Sequence, residues 1–572
     1  MQRRTFLQSL GVAAALPIGS SPGQTPKAKK NTAKADSYPP GQSEIFIEFI
    51  DKRIAQSMRN QLLDANSPFV GGFPNQYGIY NASSAAWEIC YLAAGLISPE
   101  SAYFKSEKVE DHLNLAIVFL LRMQHVDGTI DLLATNFHSP PDTAFVVEPI
   151  ALALRCVRRH QADRLKYFQR KAEKFLTGAG LALACGGIHT PNHRWVVCMA
   201  LARIHDLLPG DHLLKRIDQW LAEGIDIDAE GQYTERSTSV YSPIVNRCLL
   251  TTARLLERPE LYQPVRRNLD LTRFLVRPNG ELVTEISHRQ DQSQRSLAGK
   301  YYYPYCFMAR LDNNGLFTSM ARAIEKTVGL ERLASYFLYR LEDPEAFAPL
   351  PPALPLPDNY ERHFSHSNIV RIRRGDLDAS ILADHSTLFT LHKGQAVLQS
   401  LRLASSFFGK GQFIAKQIEP RDGGYRLRQH LSGPYVQPLA SDLLSGDGDW
   451  NKMPHQQRQQ SEVQQLTTKI TVHESEGQFR IHFEAQGTDN VPWAIELGLS
   501  PGGEFSGVTP VEGTANAYFT NSDGFTYQVG NDVIHFSGHP AAHQWTQLRG
   551  ALPKLDANSV YLTGFTPLNF EL

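Results

Sequence analysis

Four glycine turns divide the first half of this chain into segments of similar length. They are DGTID at Asp127, GGIHT at Gly186, EGQYTE at Glu230 and NGELVTE at Asn279. Between Gly128, Gly187, Gly231 and Gly280 the steps are 59, 44 and 49 residues. A step of about fifty residues holds one helical hairpin with its loops, and repetition at that period marks a stacked helical array. Apolar residues three and four apart agree, and predict helices at about 43–63, 83–97, 109–124, 143–159, 163–183, 193–208, 213–223, 239–256, 260–276 and 316–341. Such an array closes either as an open solenoid or as a toroid of inner and outer helices. The toroid is expected here, because the polar clusters follow the same kind of turn and would gather at one end of the ring.

The pattern changes after residues 346–359, AFAPLPPALPLPDN. Proline lacks the N–H a helix interior needs and favours extended chain, so this stretch reads as a domain boundary. Beyond it, segments such as SNIVRIRRG, DASILAD and QFRIHFEAQ are short, β-branched and often alternating, bounded by Gly, Asp and Asn. The expected fold class is α+β and multidomain. An N-terminal (α/α) toroid over 41–345 is followed by the linker 346–359 and an antiparallel β-sandwich over 360–572. The length of 572 residues is ample for two or three cores.

The first forty residues read differently. MQRRTFLQ followed by the apolar run GVAAALPI has the form of a twin-arginine export signal, and the Pro-, Lys- and Ser-rich stretch to Tyr38 reads as a leader. A periplasmic or extracellular location is therefore expected. No later stretch is long and apolar enough to be read as a membrane span. With 57 Lys and Arg against 58 Asp and Glu, no global basic field points to nucleic acid. Six cysteines, without a CxxC pair, read as mainly buried free thiols.

Two polar clusters stand where helices begin. Asn192-His193-Arg194-Trp195 opens one helix; Tyr233, Glu235 and Arg236 precede the next, which Tyr241 helps to open. Helix starts present unpaired N–H groups and partial positive charge, which favour an anion. An amide, an imidazole, guanidinium groups and a phenol at such places suit proton abstraction beside a carboxylate. A uronic acid offers that substrate: its C5 hydrogen becomes removable when hydrogen bonds to the carboxylate take up the developing enolate charge. Tyr or His then serves as base, and Tyr protonates the leaving glycosidic oxygen. Spacing alone leaves other readings open. Asn192 also suits a helix cap, Tyr241 and Tyr233 suit core packing, and Arg236 suits a surface pair. Trp195 suits packing or a platform for a sugar ring.

Taken together, the helical array, the β region, the Asn-His pair opening an inner helix and the downstream segment from Glu235 to Tyr241 resemble heparinase II/III-type polysaccharide lyases and the related oligoalginate lyases. The resemblance implies that Asn192 neutralises the uronate carboxylate, that Tyr241 is the acid, and that His193 is a second base or a substrate contact. Arg194, Arg236, Tyr233 and Trp195 are further substrate-binding candidates. ISHRQDQ adds His288 and Arg289, and LHKGQAVLQSLRLASSFFGKGQF places His392 where the family carries a histidine near its cleft. The family commonly follows that histidine with a second His and an Asp; Gly394 and Gln395 stand here instead. No organic cofactor is required by this chemistry, and no metal site is predicted. The expected partner is an acidic polysaccharide or oligosaccharide. Two rivals remain: a glycoside hydrolase on the same toroid, drawing on Asp131, Asp142, Glu148, Glu235 and Glu285, and a carbohydrate-binding protein without catalysis.

Overall fold

The computed structural model describes residues 42–572 apart from Ser445, Asp447, Ser522 and Pro540. The twin-arginine segment and the leader after it lie outside the described residues. The chain divides into two units, the first ending at Leu356 and the second spanning Pro357–Leu572.

The first unit is built from α1 (Gln42–Asn60), α2 (Ala82–Ile97), α3 (Glu107–Met123), α4 (Pro140–Gln161), α5 (Lys166–Cys185), α6 (His193–Leu207), α7 (Asp211–Ala222), α8 (Tyr241–Leu256), α9 (Tyr262–Thr272), α10 (Tyr302–Leu311) and α11 (Gly315–Val328). The even-numbered helices pack in succession, α2 on α4, α4 on α6, α6 on α8 and α8 on α10, with the others alongside. Sequence explains the two layers. In α6 every residue from Trp195 to Ile204 is buried, as a helix apolar all round must be, whereas α7 buries only Leu213 and Ile217 on one stripe. The first helix meets the last part of the unit: Phe46 lies edge-on to Phe337, and the Gln42 amide donates to the Tyr302 hydroxyl at 3.3 Å.

Two elements depart from expectation. The helix α10, YYPYCFMARL, is buried on nearly all sides and so has no amphipathic period to reveal it. Its Pro304 sits in the first turn, where a missing N–H costs nothing. The single helix expected over 316–341 ends at Val328, because Gly329 adopts φ +86°.

The turn repeat is real, but its members differ from those expected. At Gly78, Gly128, Gly231 and Gly280 the same small turn recurs with φ of +75°, +85°, +100° and +83°. In each, the glycine N–H bonds the carbonyl three residues back: Asn75, His125, Asp228 or Arg277. At Gly231 a Cβ would stand 2.5 Å from the Arg267 carbonyl, so only glycine fits. Gly187 lacks this conformation and has open space around it. Where the turn is missing, the loop leading to Asn192 and His193 takes its place.

The second unit is β-rich. Among the described residues a nine-stranded sheet runs Asn359–Phe364, Ile369–Arg374, Leu377–Leu382, Phe389–Lys393, Ala396–Ser405, Pro492–Leu499, Asn558–Phe565, Ala517–Thr520, Val508–Pro510. A five-stranded sheet orders Leu568–Glu571, Gln478–Gly487, Gln460–Ser475, Gly424–Val436 and Ile418–Arg421. Val370, Ile381, Leu401 and Ile495 of the first share one apolar core with Leu427, Ile470 and Phe483 of the second. The ladders are antiparallel with one exception: Ala517–Thr520 runs parallel to Asn558–Phe565. A wholly antiparallel sheet was expected. The long excursion between Pro492–Leu499 and Asn558–Phe565 lets a strand return in the same direction. Five cysteines are buried and Cys185 is exposed; all six are free thiols.

Candidate active site

The adjacent helices α6 and α8 bring two loops together at their starts. Asn192 precedes α6 in helical conformation, φ −63° and ψ −27°, and its side chain caps nothing. The amide turns across to the next loop instead. Its Nδ2 donates to Glu235 Oε2 at 2.7 Å and to Thr190 Oγ1 at 3.2 Å. Asn192 is 1% exposed.

The loop from Tyr233 to Tyr241 is held by its own serines and by a third loop. Arg236 adopts φ +49°, a left-handed conformation that only surrounding structure sustains in a non-glycine residue. Ser237 Oγ accepts from the Tyr241 N–H at 3.0 Å. Ser239 gives its hydroxyl and N–H to Asp291 Oδ2 at 2.8 and 3.1 Å, and the Ser287 hydroxyl binds the other oxygen of Asp291. Buried Asp291 thus ties the 287–291 loop to the start of α8. The 287–291 loop lays Arg289 over the Tyr241 ring, 5.1 Å from its centroid, and Gln290 Nε2 donates to the Tyr241 hydroxyl at 2.8 Å. Arg289 Nε lies 3.3 Å from Glu235 Oε1 in an ion pair. The His288 N–H donates to the Glu235 carbonyl at 3.1 Å.

Asn192, His193, Glu235, Arg289 and Tyr241 therefore form one constellation. Two of its buried atoms have no hydrogen-bond partner, Asn192 Oδ1 and His193 Nδ1, while Glu235 Oε1 and Arg289 Nε meet each other in the ion pair alone. Unpaired buried polar atoms are costly and rare, so two together call for a reason. Burial is the main cause that raises the Glu235 carboxyl above its usual range; the Asn192 bond and Arg289 oppose it, while Asp226 and Asp291 add to it. His193 is pushed down to about 3 by burial first, then by His189 and Arg289. It is a neutral imidazole at ordinary pH, with Phe145 and His189 edge-on to its ring.

Three expected substrate contacts are corrected. Trp195 is 0% exposed and donates Nε1 to Asp226 at 2.9 Å, so no sugar ring can stack on it. Arg194 gives Nη2 to Asp226 at 2.9 Å, Nη1 to Glu223 and the Gly224 carbonyl, and Nε to Pro191, so its donors are spent within the protein. Tyr233 is 2% exposed and donates to Asn246 Oδ1 at 2.9 Å; burial raises its phenol well above the ordinary range. All three follow from packing beneath the loops, which residue type does not reveal. His288 is exposed beside the constellation and Arg236 is half-buried. His392 belongs to the second unit. It is buried on Phe389–Lys393, opposite Asp378, which Arg371 grips with two hydrogen bonds.

The sequence does not single out Gln290 and Asp291, and it gives Glu235 a place in the second polar cluster but a chemical role only among the hydrolase carboxylates. The other acids have structural partners. Glu148 accepts from Tyr339 at 2.6 Å and Arg247 at 2.9 Å. Glu285 pairs with Arg277. Asp142 closes the start of α4 with Ser139 and Asn136, and Asp131 binds His125 at 2.8 Å. Among the described residues no group of three or more His, Cys, Asp or Glu is placed to hold a metal ion, and no helix is long and apolar enough to cross a membrane.

The fold that carries this constellation is shared with polysaccharide lyases. The Paenibacillus xanthan lyase superposes with a TM-score of 0.53 at 9% identity, covering 88% of this chain and 51% of that one. This chain thus spans about half the length of that lyase. The chondroitin AC lyase of Streptomyces coelicolor A3, in complex with chondroitin sulphate, also gives 0.53, at 11% identity over 86% of this chain and 73% of that one. Heparinase III gives 0.49 at 12% identity over 92% and 82%. For the xanthan and chondroitin AC lyases the likeness at these identities is one of fold, a mixed α+β architecture. No family model and no curated protein sequence matches the chain.

Proposed function

We propose that this protein is a carbon–oxygen lyase that cleaves an acidic polysaccharide by β-elimination at a uronic acid, leaving an unsaturated uronate at the new non-reducing end. The observation that carries the reading is the constellation of Asn192, His193, Glu235, Arg289 and Tyr241, with the Asn192 amide oxygen and His193 Nδ1 buried and unpaired. The shared fold supports it. We read the first unit as an (α/α) toroid forming the catalytic domain 41–345, joined through 346–359 to a largely antiparallel β-sandwich over 360–572. The leader MQRRTFLQ supports export to the periplasm or beyond.

The chemistry follows from the groups. Asn192 and Arg289 supply donors for the sugar carboxylate, whose charge grows as the C5–H bond breaks. Neutral His193 takes the proton, or Tyr241 does so as the phenolate and so becomes the phenol. The C5–H electrons form the C4=C5 bond, the C4–O bond breaks, and Tyr241 gives a proton to the departing oxygen. Gln290 already donates to that phenolic oxygen, leaving the phenol's own proton for transfer. Arg236 and His288 stand as further substrate contacts. Paired acids, which a hydrolase needs, are less well served, because Glu148, Glu285 and Asp142 are held by structural partners.

Ultraviolet absorbance during incubation with alginate, heparan-type glycans, glucuronans and rhamnose-glucuronate gums tests the reading. A rising signal from the conjugated uronate on one of them is expected. New reducing ends without that signal would replace the lyase with a hydrolase.

A further inference from the structure

The pairing of Asn192 with Glu235 sets a problem of donors. Both N–H bonds of the Asn192 amide are spent, on Glu235 and on Thr190, while its oxygen is buried and unpaired. An ionised sugar carboxylate only accepts hydrogen bonds. It therefore has to take a donor that Glu235 now holds. Two carboxylates then converge on one amide and on the Arg289 guanidinium, 3.3 Å from Glu235. Like charges so placed in a poorly solvated site do not both stay ionised.

We propose that Glu235 is a positioning residue that takes up one proton as the uronate carboxylate docks, so that its new hydroxyl donates to the Asn192 amide oxygen while the amide N–H turns to the sugar. The inference rests on the lyase reading above. The proton comes from solvent and returns to it when product leaves; no bond to carbon is made or broken at Glu235. The exchange gives the unpaired amide oxygen a donor and frees the amide nitrogen for the ligand.

The surroundings favour this. At the start of α6, Glu235 meets the neutral amide of Asn192. From the 287–291 loop come Arg289, Asp291 and His288, and from the loop before Tyr233 comes Asp226. Burial, Asp226 and Asp291 all oppose the ionised carboxylate; Arg289 favours it. A sugar carboxylate drawn to Arg289 removes part of that support.

The test is calorimetric titration of the full chain with an oligosaccharide of whichever uronate glycan the enzyme cleaves. Tyr241→Phe is used to block turnover, and two buffers of different ionisation enthalpy are compared. Uptake near one proton per bound oligosaccharide is expected, with affinity falling about tenfold per pH unit through the linked range. Glu235→Gln, a neutral mimic, should bind with no proton uptake and a flat pH profile. The pH dependence of KM in the unmodified enzyme gives the same slope without any variant. Binding or cleavage without uptake, or uptake that persists in Glu235→Gln, overturns this proposal and leaves the lyase reading intact. No binding and no elimination on any uronate overturns both.

Discussion

A 2.7 Å hydrogen bond from the Asn192 amide nitrogen to Glu235 Oε2 joins two loops whose residues stand 43 apart in sequence. The two loops feed α6 and α8, helices that pack side by side. That one bond brings Arg289, and through Arg289 the Tyr241 ring, to the same place as His193.

Replacing Asn192 by alanine should lower kcat by roughly 10²–10³, the cost of losing one donor to a developing oxyanion. It also strips Glu235 of its closest partner. Initial rates of double-bond absorbance report the first effect, and an unchanged kcat would remove Asn192 from the mechanism.

Tyr241→Phe removes a hydroxyl that meets Gln290 at 2.8 Å and is half-buried. Turnover should fall by roughly 10²–10⁴, as for loss of a general acid. Stability should change by less than ~1.5 kcal/mol, the usual net worth of one hydrogen bond. Rates and urea unfolding on the same preparation separate the two, and retained activity would assign the acid elsewhere.

His193 carries a pH signature. Its folded-state value is about 3, below the 6.5 of a free imidazole. Between these values the unfolded chain binds the proton that the folded chain refuses. The residue's contribution is therefore present above pH 6.5 and lost as pH falls toward 3, at up to ~1.4 kcal/mol per pH unit. Urea midpoints at pH 7 and pH 4 should show a smaller acid loss in His193→Gln than in the unmodified chain. An equal loss in both would place the imidazole in water.

Glu342 lies 2.9 Å from Arg203, 3.1 Å from Arg254 and 3.7 Å from Arg155, and is 2% exposed. Burial opposes its charge, yet the three guanidinium groups hold its carboxyl down at about 2. Glu342→Gln leaves buried Arg203 without its ion-pair partner. It should cost about 3–5 kcal/mol, as breaking a buried pair does. Denaturant unfolding followed by helical circular dichroism measures it, and a loss under 1 kcal/mol would show that water reaches the cluster.

Tyr233→Phe separates the buried phenol from the site. Asn246 Oδ1 loses its 2.9 Å donor, which should cost ~1–3 kcal/mol. Both kcat and KM should hold. A large fall in kcat with stability unchanged would return Tyr233 to the catalytic set.

Much of this was legible from residues. Apolar spacing predicts ten helices, and nine correspond to α1–α9 to within a few residues. The proline stretch stands where the helices give way to strands. Asn192, His193, Arg289 and Tyr241 all attract notice as chemical types at helix starts or turns. Trp195, Arg194 and Tyr233 attract the same notice and turn out to serve packing. Their neighbours Asp226 and Asn246 lie 13 to 32 residues away, and no local pattern announces such a pairing.

The amino-acid sequence by itself determined the periods: helical spacing to residue 341, alternation beyond the prolines, and a turn recurring near fifty residues. These are local, because backbone geometry and solvent act on every few residues alike. Only the tertiary structure decided that Gly78 and not Gly187 belongs to the repeat, that α10 is a helix, and that Glu235 meets Asn192 and Arg289. Those outcomes depend on which side chains adjacent helices bring within 3 Å or so and which they shut away from water, and neither is written in any short stretch of the chain.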